Sequence, residues 1–195
     1  MPQGERESWN AKYGGGTHGD HRPDPLLPFA FENYISALFP SGGRALDLAG
    51  GTGRQALWLA ERGWSVELID ISDAGLAIAR ERARAARIPI TLHEGDISNG
   101  LGRFRGRFDV VMNFFYLERA IFSDIVAALA PGALLIFKTY TEQHSLLSNK
   151  GPQDPGHLLK SGELLRAFQK LDVLYYREQM VERGTAELVA RSPGL

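Results

Sequence analysis

Three aspartates stand at the ends of three successive β-like runs: Asp47 in ALDL, Asp70 in VELID and Asp96 in HEGDIS. Between the first of them and the helix-like stretch that follows lies a glycine cluster, in ALDLAGGTGRQALWLA over residues 45–60. Glycines where a strand turns into a helix let a ligand lie against bare backbone. Gly51-Thr52-Gly53-Arg54-Gln55-Ala56 satisfies the G-x-G-x-x-G/A pattern, and Asp70 falls near the position that binds a ribose. That pattern alone does not separate a dinucleotide from S-adenosylmethionine.

Asp47 separates them. A carboxylate at that strand end would meet the pyrophosphate of a dinucleotide, and like charges 4 Å apart repel by about 4 kcal/mol at an effective dielectric near 20. The ammonium and sulfonium of S-adenosylmethionine would instead be attracted. The chain also lacks G-x-x-x-x-G-K-[ST], which speaks against an ATP-binding P-loop. Asp70 is expected to accept hydrogen bonds from the ribose hydroxyls beside Ile71, and Asp96 from the adenine amino group, with Ile97 offering backbone and an apolar face. Asp70 and Asp96 also suit turns and caps, a common use of aspartate. An NAD(P)-binding oxidoreductase module and a non-catalytic regulator that binds the cofactor are the rival readings.

Other chemistry-bearing residues lie in loops and strand ends. Asn113 and Phe114 close a fourth β-like run and are expected beside the cofactor, with Phe115 and Tyr116 next to them. His18, His21 and Arg22 fall in GGGTHGDHRPDPLLP, residues 14–28; His144 and His157 fall in residues 141–161. Tyr116, His18, His21 and Arg119 are the candidates for a catalytic base or an anion-binding cation, and Arg177 is a further cation. For each histidine a solvated loop position is the default, and a surface position for each arginine. The histidine spacing matches no metal motif, so no metal site is expected.

The elements that must position these residues alternate along the chain. Strands are expected at Ala45–Leu48, Ser65–Asp70, Ile90–Glu94, Phe108–Asn113 and Ala133–Tyr140. Helices are expected at Arg54–Arg62, from Ser72 or Asp73 to about Arg87, and at Arg119–Leu129. Such alternation implies a parallel sheet with helices on both faces. A short helix at Glu163–Gln169 precedes LDVLYYREQ and TAELVAR, separated only by MVERG, a connection too short for anything but an antiparallel hairpin. The expected fold is α/β and Rossmann-like: seven mostly parallel strands with a C-terminal antiparallel hairpin. A single domain is expected over 1–195, with residues 1–40 a lid or cap and 41–195 the core. Trp9 and Tyr13 are candidates to anchor that segment over the cofactor, and residues 14–28 and 141–161 are candidate lids.

Composition bounds the rest. The chain has 195 residues, enough for one well-packed domain, and its hydrophobic share of 44% and charged share of 23% are globular averages. It has no cysteine, which excludes disulfides, thiolate metal sites and a cysteine nucleophile. A formal net charge of -1 provides no general field for nucleic acid or anionic membrane. The start, MPQGERESWN, lacks a signal-peptide pattern, and no apolar run reaches the roughly 20 residues of a membrane span. A soluble, cytoplasmic protein is expected, acting on a small molecule rather than on nucleic acid.

At these residues the sequence resembles the class I S-adenosylmethionine-dependent methyltransferases, over about residues 40–191. The resemblance implies Asp47 as partner of the methionine moiety and Gly51 and Gly53 as the loop floor. It implies Asp70 at the ribose and Asp96 and Ile97 at the adenine. LDLAGGTG departs from the family pattern by carrying Ala49 where a glycine is common; the extra methyl is expected to narrow the loop only slightly. SWNAKY, NFFYLER and GELLRAF…VLYYREQ resemble the tellurite-resistance-type methyltransferase branch, whose W-D-x-R-Y pattern appears here with Asn10 and Lys12 in place of the acid and the arginine. The expected reaction is methyl transfer from S-adenosylmethionine by in-line displacement to a small acceptor. The branch resemblance does not name that acceptor; a thiol or metalloid oxyanion is expected because such acceptors need little help from a base.

Overall fold

Residues 2–16, 21–148 and 150–194 are described in a computed structural model of the chain, Pro2 and Gln3 by backbone alone. His18, one of the catalytic candidates, lies outside them. Seven strands form one sheet, as expected, and their order is β3-β2-β1-β4-β5-β7-β6. The chain divides into two compact units, one ending at Asn99 and one beginning at Gly100.

In the first unit, β1 (Arg44–Leu48), β2 (Ser65–Asp70) and β3 (Thr91–Glu94) pair in parallel, with Asp47 beside Leu68 and Asp70 beside Glu94 in the ladders. β1 and β2 read as apolar runs because both faces are covered; Ala45, Leu46, Leu48, Leu68 and Ile69 are all buried. α4 (Arg54–Ala60) and α5 (Asp73–Ala86) make the crossovers. α5 begins where its sequence says it should: Ser72 caps it by accepting the Gly75 N–H at 3.0 Å, and Arg87 ends it at φ 59°. Two elements were not expected. α1 (Pro2–Gly14) is a regular helix, and α2 (Leu26–Ala30), a π turn over Phe31–Ile35 and α3 (Ser36–Leu38) form a second helical segment that buries Leu26, Leu27, Ala30 and Ile35.

In the second unit, β4 (Phe108–Phe114) and β5 (Leu129–Tyr140) are parallel, whereas β6 (Asp172–Val181) and β7 (Arg183–Arg191) form an antiparallel hairpin attached through β7 to β5. The hairpin turns on Glu182 at φ 62°, tighter than the five-residue MVERG connection expected. β5 runs through Pro131-Gly132 rather than beginning after it. The helix expected over Arg119–Leu129 is instead a 3-10 turn, Arg119–Ile121, followed by α6 (Phe122–Ala128). Phe122, Phe137 and Phe168 pack ring against ring at 5.1–5.9 Å as the core of this unit. Residues 141–161 carry α7 (His144–Leu147) and a 3-10 turn, Pro155–His157; α8 (Glu163–Ala167) follows. Among the described residues no helix is long and apolar enough to cross a membrane.

Candidate functional site

The glycine loop of the first unit is held open by its own carboxylates. β1 delivers Asp47, 2% exposed, whose Oδ2 accepts the Ala56 N–H in the first turn of α4 at 3.1 Å. A Cβ at Gly50 would lie 2.7 Å from that same oxygen and from the Leu68 side chain, so only glycine fits there. Gly51 and Gly53 turn at φ 54° and 77°, backbone that glycine adopts without strain. Ala49 stands at φ 50° in the same left-handed region. Its departure from the family pattern therefore acts on the backbone rather than on the width of the loop.

Asp70, at the end of β2, is 5% exposed. Its Oδ2 accepts the Gly51 N–H at 2.8 Å and its Oδ1 the Ser72 N–H at 2.8 Å. An ionised carboxylate takes about four hydrogen bonds, so each oxygen keeps acceptor capacity toward a ligand. Burial pushes the carboxyl upward from its usual range, against the backbone N–H groups of Ser72, Gly51 and Ile71, which hold it down. Burial likewise raises Asp47, to about 7; the Ala56 N–H opposes the shift, and the neighbouring Asp70 adds to it. A buried acidic pair of this kind favours a cation, which would relieve both desolvation and mutual repulsion.

α1 reaches this loop, a contact absent from any local pattern. Asn10 donates Nδ2–H to Asp73 Oδ1 at 2.7 Å and accepts the Ser72 hydroxyl at 2.5 Å, while Arg6 pairs with Glu94 at 2.9 Å. Tyr13, one helical turn after Trp9, stacks on it at 5.7 Å and lays its ring over Gly51 and Gly75; a Cβ on Gly51 would collide with its hydroxyl. Burial first, then the charges of Asp70 and Asp47, push the Tyr13 phenol upward. Trp9 and Tyr13 were legible as candidate anchors; the Asn10–Ser72–Asp73 latch was not.

Asp96 Oδ1 accepts both the N–H and the hydroxyl of Ser98, at 2.9 and 2.6 Å, which makes it the start of a turn. Ile97 beside it is 5% exposed, and Ile71 is half-buried. His21 is exposed and shares a shallow groove with Arg54, Trp58 and Arg82.

The second unit holds the remaining candidates. Asn113 is 1% exposed, donates Nδ2–H to the Tyr116 carbonyl at 2.8 Å and leaves Oδ1 unpartnered. Phe114 is buried, and Phe115 stands at φ 61° just beyond it. Arg119 is committed to its own unit: Nε and Nη2 grip Glu163 at 2.6 and 3.1 Å, and Nη1 and Nη2 bond the carbonyls of Gly156 and Leu158. That pairing raises the Arg119 guanidinium and lowers Glu163. Arg177 is also paired, to Glu187 at 3.0 Å. His144, for which a solvated loop was the default, is 2% exposed. Among the described residues no group of histidines and carboxylates could hold a metal ion.

Comparison with known proteins bears on the family and the fold. Residues 45–132 match the family described as a methyltransferase domain. The chain is 32% identical over 117 residues to YqeM of Bacillus subtilis, covering 55% of this chain and 47% of that protein. The chain spans about half the length of the curated relatives it matches. Among solved structures it is similar to TehB from Haemophilus influenzae, with TM-score 0.75 at 16% identity over 94% of this chain and 67% of that one. It is also similar to an S-adenosylmethionine-dependent methyltransferase from Clostridium acetobutylicum, with TM-score 0.71 at 15% identity over 87% and 91%.

Proposed function

We propose, from the premise that this chain carries a class I, S-adenosylmethionine-dependent methyltransferase domain, that it transfers a methyl group to a small-molecule acceptor. The observation that carries the reading is Asp70: buried at the end of β2, bonded once through each oxygen to the loop, and still able to accept. Bound S-adenosylmethionine would supply an electrophilic methyl on a sulfonium. The chain's own part is to bind and align, since in-line displacement at such a carbon gains most from orientation and exclusion of water.

In this reading Asp70, beside Ile71, accepts the ribose hydroxyls, and Asp47 answers the methionine ammonium while bracing α4. Ala49, Gly51 and Gly53 form the loop floor, Asp96 and Ile97 receive the adenine, and Asn113 and Phe114 belong to the same ligand's surroundings. Tyr13 adds a ring over the loop, and Asn10 ties it down. A soft acceptor, thiol or metalloid oxyanion, is our reading because such acceptors need little help from a base in a displacement that mainly requires alignment. Tyr116 and His21 remain candidates for the acceptor side, while the bonds of Arg119 suit a brace for residues 156–163.

Calorimetry with S-adenosylhomocysteine tests this. Binding at micromolar to low millimolar concentration is expected, weakened at least 100-fold in Asp70→Ala and less in Asp70→Asn, with thermal melts separating a folding defect from a site defect. No binding to the wild-type protein at millimolar ligand, or saturable fluorescence quenching by NADH instead, would sink the reading.

A further inference from the structure

In the first unit, β1, β2 and β3 follow one another in a single direction across the sheet. Right-handed crossovers therefore put α4 and α5 side by side on one face. A groove of about 280 Å³ is lined by both helices. Arg54, Arg82 and His21 supply its polar lining, and Leu57, Trp58 and Ala85 its apolar lining. Trp58 is a fixed wall: the Arg62 guanidinium stacks on its ring at 3.5 Å, and Phe31 meets it edge-on at 5.5 Å. Glu61, the one acid among the described lining residues, lies 3.8 Å from Arg62.

The two arginines of the groove differ from those committed to ion pairs. Arg6, Arg44, Arg119 and Arg177 each grip a carboxylate. Arg82 is half-buried, and its bonds among the described residues go to neutral oxygens. Its Nη1 donates to the Thr52 carbonyl at 3.2 Å and to the Thr52 hydroxyl at 2.8 Å. Burial lowers the Arg82 guanidinium from its usual value. Arg54 is also half-buried; its charge is felt at Asp47, but it makes no ion pair among the described residues.

A guanidinium withdrawn from water without a counter-ion is costly, and two in one groove repel each other. An anion between them removes both penalties. We propose that this groove binds the dianionic phosphate group of a small phosphate monoester, held by Arg54 and Arg82, with its organic part against Leu57 and Trp58. The parallel N–H donors of a guanidinium match the oxygens of a phosphate. Arg82 has donors to spare, since Nη1 alone serves Thr52. A volume of about 280 Å³ falls at the small end of ligand sites, which suits a monoester.

Thr52 stands between Gly51 and Gly53, so the residue that holds the anion also braces the glycine loop. An anion that fixes Arg82 stiffens the loop before the cofactor arrives, and bound cofactor favours the anion to the same degree. This coupling rests on the methyltransferase reading above; the anion site does not.

Calorimetry of the full chain with phenyl phosphate, in phosphate-free buffer, is the test. Saturable binding is expected, weaker with inorganic phosphate and absent with phenol. Arg54→Met and Arg82→Met should each weaken phenyl phosphate roughly tenfold or more, the scale of a lost charged hydrogen bond. Arg82→Lys keeps the charge without the fork and should fall between. Thermal melts check folding, and Arg54→Met, which leaves the Thr52 brace in place, serves if the Arg82 variants do not fold. Saturating phenyl phosphate should tighten S-adenosylhomocysteine about twofold or more in wild type and not in Arg82→Met. No binding of phenyl phosphate, binding undiminished by both methionine substitutions, or tighter binding of a short RNA oligomer would overturn the proposal. Inorganic phosphate bound as tightly as phenyl phosphate would overturn the monoester assignment. S-adenosylhomocysteine that binds but ignores phenyl phosphate would overturn the coupling. If it does not bind wild type at all, the methyltransferase reading fails, while the phenyl phosphate titration still decides the anion site.

Discussion

The two units end their strands in opposite electrostatic conditions. At the β1 and β2 ends of the first, the chain answers its own polar groups: Asp47 takes the Ala56 N–H, and Asp70 takes Gly51 and Ser72. At the β5 end of the second, His144 Nδ1 and Thr185 Oγ1 are left over, and Asn113 Oδ1 at the end of β4 is a third. A loop already bonded to buried acids is shaped before any ligand arrives, which favours one fixed ligand. Buried polar atoms without partners carry a desolvation cost that the first end avoids.

Three changes break or sharpen that contrast. The largest effect is expected from Gly184→Ala, whose methyl would run into backbone atoms rather than a flexible side chain. A loss of about 3 kcal/mol, read from urea melts, is the scale for such a clash. If stability were unchanged, α7 would not be braced on β7, and the fixed position of His144 would lose its basis.

Asp47→Asn is next, and it works through charge. The wild-type carboxyl titrates at about 7 in the folded chain against 3.8 in the open one. A raised carboxyl contributes stability that is fully present below the unfolded value and is lost as pH rises through the folded value. The wild-type protein should therefore lose stability between about pH 4 and pH 7 through this residue. The amide keeps an acceptor for Ala56 N–H and carries no charge, so the variant should flatten that slope and gain roughly 1–2 kcal/mol at pH 8. Its affinity for S-adenosylhomocysteine should fall, and lose its dependence on pH near 7. Urea melts at several pH values, paired with calorimetry, give both readings.

The smallest effect is that of Ala49→Gly. Relief of one left-handed non-glycine residue is worth about 1 kcal/mol, offset in part by the freer unfolded chain. A modest rise in melting temperature with unchanged ligand affinity would place the strain in the backbone of the loop alone.

Local signals carried much of the molecule. β1, β2 and β4 read as apolar runs, α5 announced both its ends through Ser72 and Arg87, and the glycine loop was visible with Asp47 and Asp70 beside it. α1 was harder to read because its mean hydropathy is low and its purpose lies in contacts 62 and 63 residues away, at Ser72 and Asp73. Arg119 looked like any exposed cation, since the Glu163 that claims it is 44 residues distant. His144 was placed in a solvated loop although Tyr140, on which its ring packs, is near in sequence; the β7 residue Gly184, against which its backbone rests, is far along the chain.

What the chain order alone determined is therefore the alternating α/β sheet, the reversed hairpin at its end and the acid-and-glycine loop, because periodicity, caps and left-handed turns are properties of neighbouring residues. Which polar atoms are consumed and which remain for a ligand was decided only by folding. A hydrogen-bond partner is chosen by distance in space, and burial, which makes a missing partner costly, exists only once distant segments have packed.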